Sequence, residues 1–191
     1  DSQAKQALQH AVELSPGTPT LLYDYGRACQ QVGDQDAAIA SLERALSLRP
    51  KWTEAHYYLG RSHQLHGELT KALEQYQKAI KLEPEAAAYK LAAGLVLRQK
   101  GEMDQAIAAL EQAICLSPND ATLHGELAKT LAEKGKLREA LYQYHQASKL
   151  APADGIYHIH IGATLRELGD SFNTGRLAAG SVRRHGRCDR G

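Results

Sequence analysis

The stretch that decides the fold is residues 53–84, TEAHYYLGRSHQLHGELTKALEQYQKAIKLEP. Gly67 divides it into two amphipathic halves, and Pro84 closes it. Each half is long enough for about three helical turns and carries apolar residues at helical spacing. Glycine takes the left-handed backbone cheaply, so Gly67 predicts a tight reversal between two helices. Proline lacks a donor and clashes with a continuing helix, so Pro84 predicts the end of the second.

The same punctuation recurs outward in both directions. Proline stands at 16, 50, 84, 118 and 152, and glycine at 33, 67, 101, 135 and 169, each in steps of 34 residues. Small residues recur in the first helix at Gly26, Gly60, Gly94, Ala128 and Gly162. In the second helix Ala38, Ala72, Ala106 and Ala140 recur, followed by Leu42, Tyr76, Leu110 and Tyr144, then Ala45, Ala79, Ala113 and Ala147. Small positions allow close helix approach, and the large residue fills the space between. Thr18-Pro19, Asp120 and Asp154 read as helix caps.

A 34-residue helix-turn-helix period with these residues resembles the tetratricopeptide repeat. The family's aromatic at the fourth position is replaced by Leu22, His56, Lys90, His124 and His158. The resemblance implies an all-α fold, an α-solenoid of antiparallel helix pairs wound as a right-handed superhelix. It divides the chain into 1–18, the second helix of a partial repeat; whole repeats at 19–52, 53–86, 87–120 and 121–154; and 155–170, the first helix of another. Opening in mid-repeat leads us to expect further repeats upstream in a parent protein. After Asp170 the register fails, with Thr174, Ala178, Ser181 and Gly186 at the signature positions. Residues 171–191 read as a flexible basic tail with a short helical turn around Leu177–Arg183.

That tail holds five arginines and one acid, contributing +4 of a formal net charge of +1, so residues 1–170 sum to −3. Near-neutrality of the whole argues against a dedicated nucleic-acid binder, and the arginine tail is the place where such contact would occur. No run is long and apolar enough to span a membrane, and no signal peptide opens the chain. Cys29, Cys115 and Cys188 match no metal or disulfide framework, which with the missing signal favours a reducing, cytoplasmic setting.

The nine histidines lack metal-ligand spacing. His56, His124 and His158 read as packing residues, with His63 at another packing position. No phosphate loop or G-x-S-x-G elbow is present, and Cys29 reads as a small buried apolar residue. We therefore expect no enzyme, no cofactor and no metal.

In the resembled family the second, fifth, ninth and twelfth positions of each first helix line a concave surface. Here they are Thr20, Tyr23, Arg27 and Gln30; Glu54, Tyr57, Arg61 and Gln64; Ala88, Leu91, Leu95 and Arg98; Thr122, Gly125, Lys129 and Ala132; Ile156, Ile159, Ala163 and Arg166. Every set holds one cation although the body is net negative. The expected peptide-binding groove is therefore Tyr23, Arg27, Gln30, Tyr57, Arg61, Gln64, Arg98, Lys129 and Arg166, and the expected ligand is an extended acidic protein or peptide segment. The chaperone carboxylate clamp, with Lys at the fifth position and Asn at the ninth, is absent, because those are Tyr23 and Arg27. The asparagine ladder of the O-linked N-acetylglucosamine transferase is also absent, its positions being Asp24, Tyr58, Ala92, Glu126 and His160. A scaffold or adaptor is the primary reading, and the substrate-recruiting arm of a larger glycosyl- or sulfotransferase is the alternative. Apolar residues around helix 155–168, namely Ile156, Tyr157, Ile159, Ile161, Leu165 and Leu168, lead us to expect an exposed patch, with either self-association through that end or the tail around Leu177–Val182 folding back to cover it.

Overall fold

The computed structural model describes residues 2–173, with side chains described through residue 169. Among these residues there are ten helices and no strand: α1 Ser2–Leu14, α2 Pro19–Gln31, α3 Gln35–Leu48, α4 Thr53–Leu65, α5 Leu69–Leu82, α6 Ala87–Gln99, α7 Met103–Leu116, α8 Ala121–Glu133, α9 Leu137–Leu150 and α10 Gly155–Asn173. The fold is an all-α helical repeat of the α-solenoid class. Two compact units divide at Lys100 and Gly101, so α1–α6 form one and α7–α10 the other.

Within the first unit each helix packs on the next from α1 through α6. The reversals follow from the glycines. Gly33 and Gly67 adopt φ of +82° and +87°, and Gly101 and Gly135 adopt +81°. At Gly33 the amide of Asp34 donates back to the Cys29 carbonyl at 2.9 Å, and Glu68 does the same to His63 at 2.8 Å. These bonds satisfy carbonyls that the ending helix leaves over. Asp34 then caps α3 by accepting from the Ala37 amide at 3.2 Å. Each second helix ends two residues before its proline, as the restricted residue preceding a proline requires.

The repeated small and large residues form the core as their spacing predicts. Ala38, Leu42 and Ala45, and Ala72, Tyr76 and Ala79, are all within 1% of complete burial. Gly60 lies so close to Tyr76 that a β-carbon there would sit 2.8 Å from the ring. Gly26 stands in the same relation to Leu42.

In the second unit α7 packs on α8, α8 on α9 and α9 on α10. Ala106, Leu110, Ala113, Ala140 and Ala147 are completely buried, and Tyr144 nearly so. Asp120 and Asp154 cap α8 and α10 by accepting from the amides of Thr122 and Ile156, at 2.8 and 3.0 Å. Thr18 holds the corresponding place before α2 but makes no side-chain capping bond, and Pro19 supplies the start.

The histidines take up two of the places that the family's aromatic would fill. Nε2 of His56 donates to the Pro50 carbonyl at 2.9 Å, and Nδ1 meets the Gln75 side-chain amide at 2.8 Å. His124 repeats this with Pro118 at 3.0 Å and Gln143 at 2.8 Å. A glutamine amide can turn either its oxygen or its NH2 to the ring, so the imidazole is paired in either protonation state. His63 is also buried, with Nδ1 2.7 Å from the Glu68 carboxylate. His158 departs from the expectation and is exposed. Nineteen residues further on, the sequence has leucine at 177 where His56 and His124 are followed by Gln75 and Gln143.

The end of the described chain differs from the sequence reading in two ways. The spacing predicts that Gly169 ends its helix like the other four, yet α10 runs through it to Asn173. Glycine permits the left-handed turn, but packing of a following helix imposes it, and the register that would form that helix is lost. Gly162 accordingly has nothing within 4 Å of where a β-carbon would stand. The apolar patch is smaller than predicted. Ile156, Ile159 and Leu165 are exposed, whereas Ile161 is buried and Tyr157 and Leu168 are half-buried. The expected turn at Leu177–Arg183 and nearly all of the basic tail lie outside the described residues.

Candidate functional site

The first-helix face of the first unit carries a continuous bank of aromatic rings. Tyr23 of α2 lies 4.5 Å from Trp52, centroid to centroid, and meets Tyr58 of α4 edge-on at 5.7 Å. Tyr57 meets Tyr58 at 5.4 Å, Tyr76 at 5.7 Å and Tyr89 of α6 at 5.4 Å. Helical geometry explains the arrangement. Tyr23 and Arg27 are four apart and share one stripe of α2, while Tyr57 and Arg61 repeat the pair on α4.

Arg27 is laid over this bank. Its guanidinium carbon stands 4.8 Å from the Tyr58 centroid and 5.6 Å from that of Tyr23. Both are within the range of cation–π attraction. The Nε atom is buried and has no hydrogen-bond partner. Beside it opens a recess of about 230 Å³ lined by Arg27, Gln30, Gln31, Tyr58 and Arg61. Neither arginine lies within 4.0 Å of a carboxylate among the described residues.

The glutamines of the stripe have internal duties. Gln30 is buried and donates to the Ser62 hydroxyl at 3.0 Å and to the Tyr58 carbonyl at 3.3 Å. Gln64 donates to Gln99 at 3.1 Å and accepts from the Tyr76 hydroxyl at 3.0 Å. They fix α2 to α4 and α4 to its neighbours, and so hold the walls of the site. Burial pushes the hydroxyls of Tyr23, Tyr76 and Tyr89 above the ordinary phenol range, so all three stay neutral. For Tyr23 the Arg27 charge opposes that shift without reversing it.

The structure therefore brings Tyr23, Arg27, Gln30, Tyr57, Arg61 and Gln64 to one face. Arg98 is half-buried on α6 of the same unit. Lys129 and Arg166 are exposed on α8 and α10 and belong to the second unit. Gly125 in that unit lets the Tyr157 ring approach, since a β-carbon there would lie 2.8 Å from it. Sequence reasoning missed Trp52, Tyr58 and Tyr89. All three lie next to the predicted stripe rather than on it, and their aromatic character was the available signal. Among the described residues no cluster of His, Cys, Asp and Glu could hold a metal, and no helix is long and apolar enough to cross a membrane.

Known structures share this fold. The crystal structure of MamA superposes with a TM-score of 0.73 at 26% identity, covering 78% of this chain and 87% of that one. TTC0263, a thermophilic TPR protein of Thermus thermophilus, gives 0.68 at 26% identity over 84% and 88%. YrrB, described as a TPR protein with an unusual peptide-binding site, gives 0.69 at 22% identity over 87% and 86%. Comparison with curated protein sequences finds no match. Tetratricopeptide-repeat models match residues 2–54, 23–80 and 57–121, and a second such model matches 97–159. With the repeat punctuation, the helix pairs and these matches in agreement, the chain belongs to the tetratricopeptide-repeat family.

Proposed function

We propose that the chain is a protein-interaction scaffold whose α2–α4 face binds an extended peptide bearing acidic side chains. The observation that supports this most is the state of Arg27 and Arg61. Both line one recess, the first stands within cation–π range of two tyrosine rings, and neither is neutralised by a carboxylate among the described residues. Arginine offers a planar fork suited to carboxylates, and the tyrosines beside it offer rigid apolar area with polar tips. A peptide laid along the face would place acidic groups at the arginines and apolar groups on the rings. The peptide-binding site named for YrrB is that protein's own, and a peptide ligand on a chain of similar fold is in keeping with this reading.

Fluorescence anisotropy with labelled glutamate-rich and glutamine-rich peptides of equal length tests the reading. The glutamate-rich peptide should bind, and binding should weaken as salt rises. Arg27→Ala combined with Arg61→Ala should weaken it by about tenfold or more, the loss expected for charge-assisted contacts, with helix content unchanged. Equal affinity of the double variant would remove the electrostatic part of the proposal.

A further inference from the structure

The recess between Arg27 and Arg61 has a charge count that a single carboxylate does not match. Its lining holds two guanidinium groups, two glutamines and one tyrosine, and no acid. Arginine does not lose its proton in proteins, so the site carries two positive charges at any working pH. The Gln30 amide is committed to Ser62 and to the Tyr58 carbonyl, which fixes that wall. The Arg27 guanidinium carbon stands within cation–π range of both Tyr58 and Tyr23, contacts that hold the group beside the recess before any ligand arrives. The buried Nε–H has no acceptor, and a buried donor left unsatisfied is costly.

Building on the acidic-peptide reading, we propose that this recess is a phosphate subsite, reading a phosphate monoester carried on a side chain of the bound peptide. A phosphate monoester carries about −1.5 to −2 charges at neutral pH and three strong acceptor oxygens. It therefore neutralises both arginines, where a carboxylate leaves one charge uncompensated. Its several oxygens can accept from the Arg27 edge and from Arg61 together. The volume of about 230 Å³ admits such a group with part of its side chain.

The test is nuclear magnetic resonance of the 15N-labelled full chain, following the Nε–H signals of Arg27 and Arg61. Short glycine-flanked peptides carrying serine, glutamate or phosphoserine are titrated at matched ionic strength, alongside inorganic phosphate. The phosphoserine peptide should shift both signals and bind about tenfold tighter than the glutamate peptide, as a charge-assisted contact to a second arginine implies. Arg61→Gln, an exposed change that spares the packing, should abolish that advantage, and Arg27→Gln should do so too. Equal binding of the phosphoserine and glutamate peptides would overturn the phosphate subsite while leaving the acidic-peptide reading standing. Absence of any shift at Arg27 and Arg61 would overturn it as well, with the anisotropy measurement then judging the broader reading separately. Inorganic phosphate binding as tightly as the phosphoserine peptide would overturn the assignment to a peptide-borne group.

Discussion

Gly60 and Gly125 both stand where a β-carbon would meet a tyrosine ring at 2.8 Å, and they differ in what can yield. Tyr76, facing Gly60, is 1% exposed and ties its hydroxyl to Gln64, and the Ala72 carbonyl lies 3.1 Å from the same point. Tyr157, facing Gly125, is half-buried. Gly60→Ala should therefore cost about 1–3 kcal/mol, the usual range for overpacking a filled core. Gly125→Ala should cost clearly less, because Tyr157 can swing outward. Urea unfolding of the two variants checks the order, and a larger loss at Gly125 would contradict it. The clash at Gly60 was legible in the sequence as a small residue in a fixed place. The one at Gly125 was not, because Tyr157 follows 32 residues later and only the fold brings it near.

At the scale of the element, two kinds of residue make the helix pair, and they should fail differently. Gly67 has nothing within 4 Å of a would-be β-carbon, so its substitution acts through the backbone alone. Gly67→Ala forces a β-carbon into φ of +87° and should cost about 1–2 kcal/mol. Leu110 is completely buried, and Leu110→Ala should cost about 2–5 kcal/mol through lost burial and the cavity left behind. Thermal or denaturant melts measure both, and an unchanged midpoint for Leu110→Ala would show that it does not sit in a packed core. The period makes these elements readable in the sequence, because glycine and proline act locally on the backbone. Gly169 shows where that reasoning stops. The residue is the same as at Gly135, yet α10 continues, because the reversal also needs a helix that packs back. The aromatic bank was half legible for a related reason. Tyr23 and Tyr57 lie on the predicted stripe, whereas Trp52 precedes its helix and Tyr89 sits one position off.

At the scale of the whole molecule, three carboxylates among the described residues contribute to the response to acid. Lys5 beside Asp34 holds its carboxyl below the ordinary range, with the Ala37 amide adding to the effect. Lys71 and then His63 do the same for Glu68, and Lys134 for Asp104. Each folded value is depressed, so each contribution is present above the unfolded carboxylate range of about 4 and is lost as pH falls through the folded value. The part of the stability that these three carboxylates supply should accordingly decline below about pH 4. Asp104 is exposed and the Asp34 and Glu68 side chains are 38% and 34% exposed, so water screens each pair and each step should be small. Denaturant midpoints at several pH values test this, and Lys5→Met should reduce the Asp34 share of the decline to what the Ala37 amide supplies. A chain no less stable at acid pH would show that these ion pairs do not persist in solution.

His56 and His124 each bond to the carbonyl of the proline that closes the preceding repeat. The acceptor is a backbone atom, and every repeat of this chain offers one at the same place, six residues earlier, whatever its side chains are. The joint between neighbours is therefore generic where it might have been matched. A module carrying the histidine and its glutamine can follow any module that ends in the shared proline, which makes the units exchangeable parts. Deleting residues 53–120 would set Pro50 in the place of Pro118 before His124 with the spacing unchanged. The shortened chain should fold with that histidine still paired, and its imidazole resonances would report the bond directly. Loss of the paired signature would mean that the joint depends on its original neighbours after all.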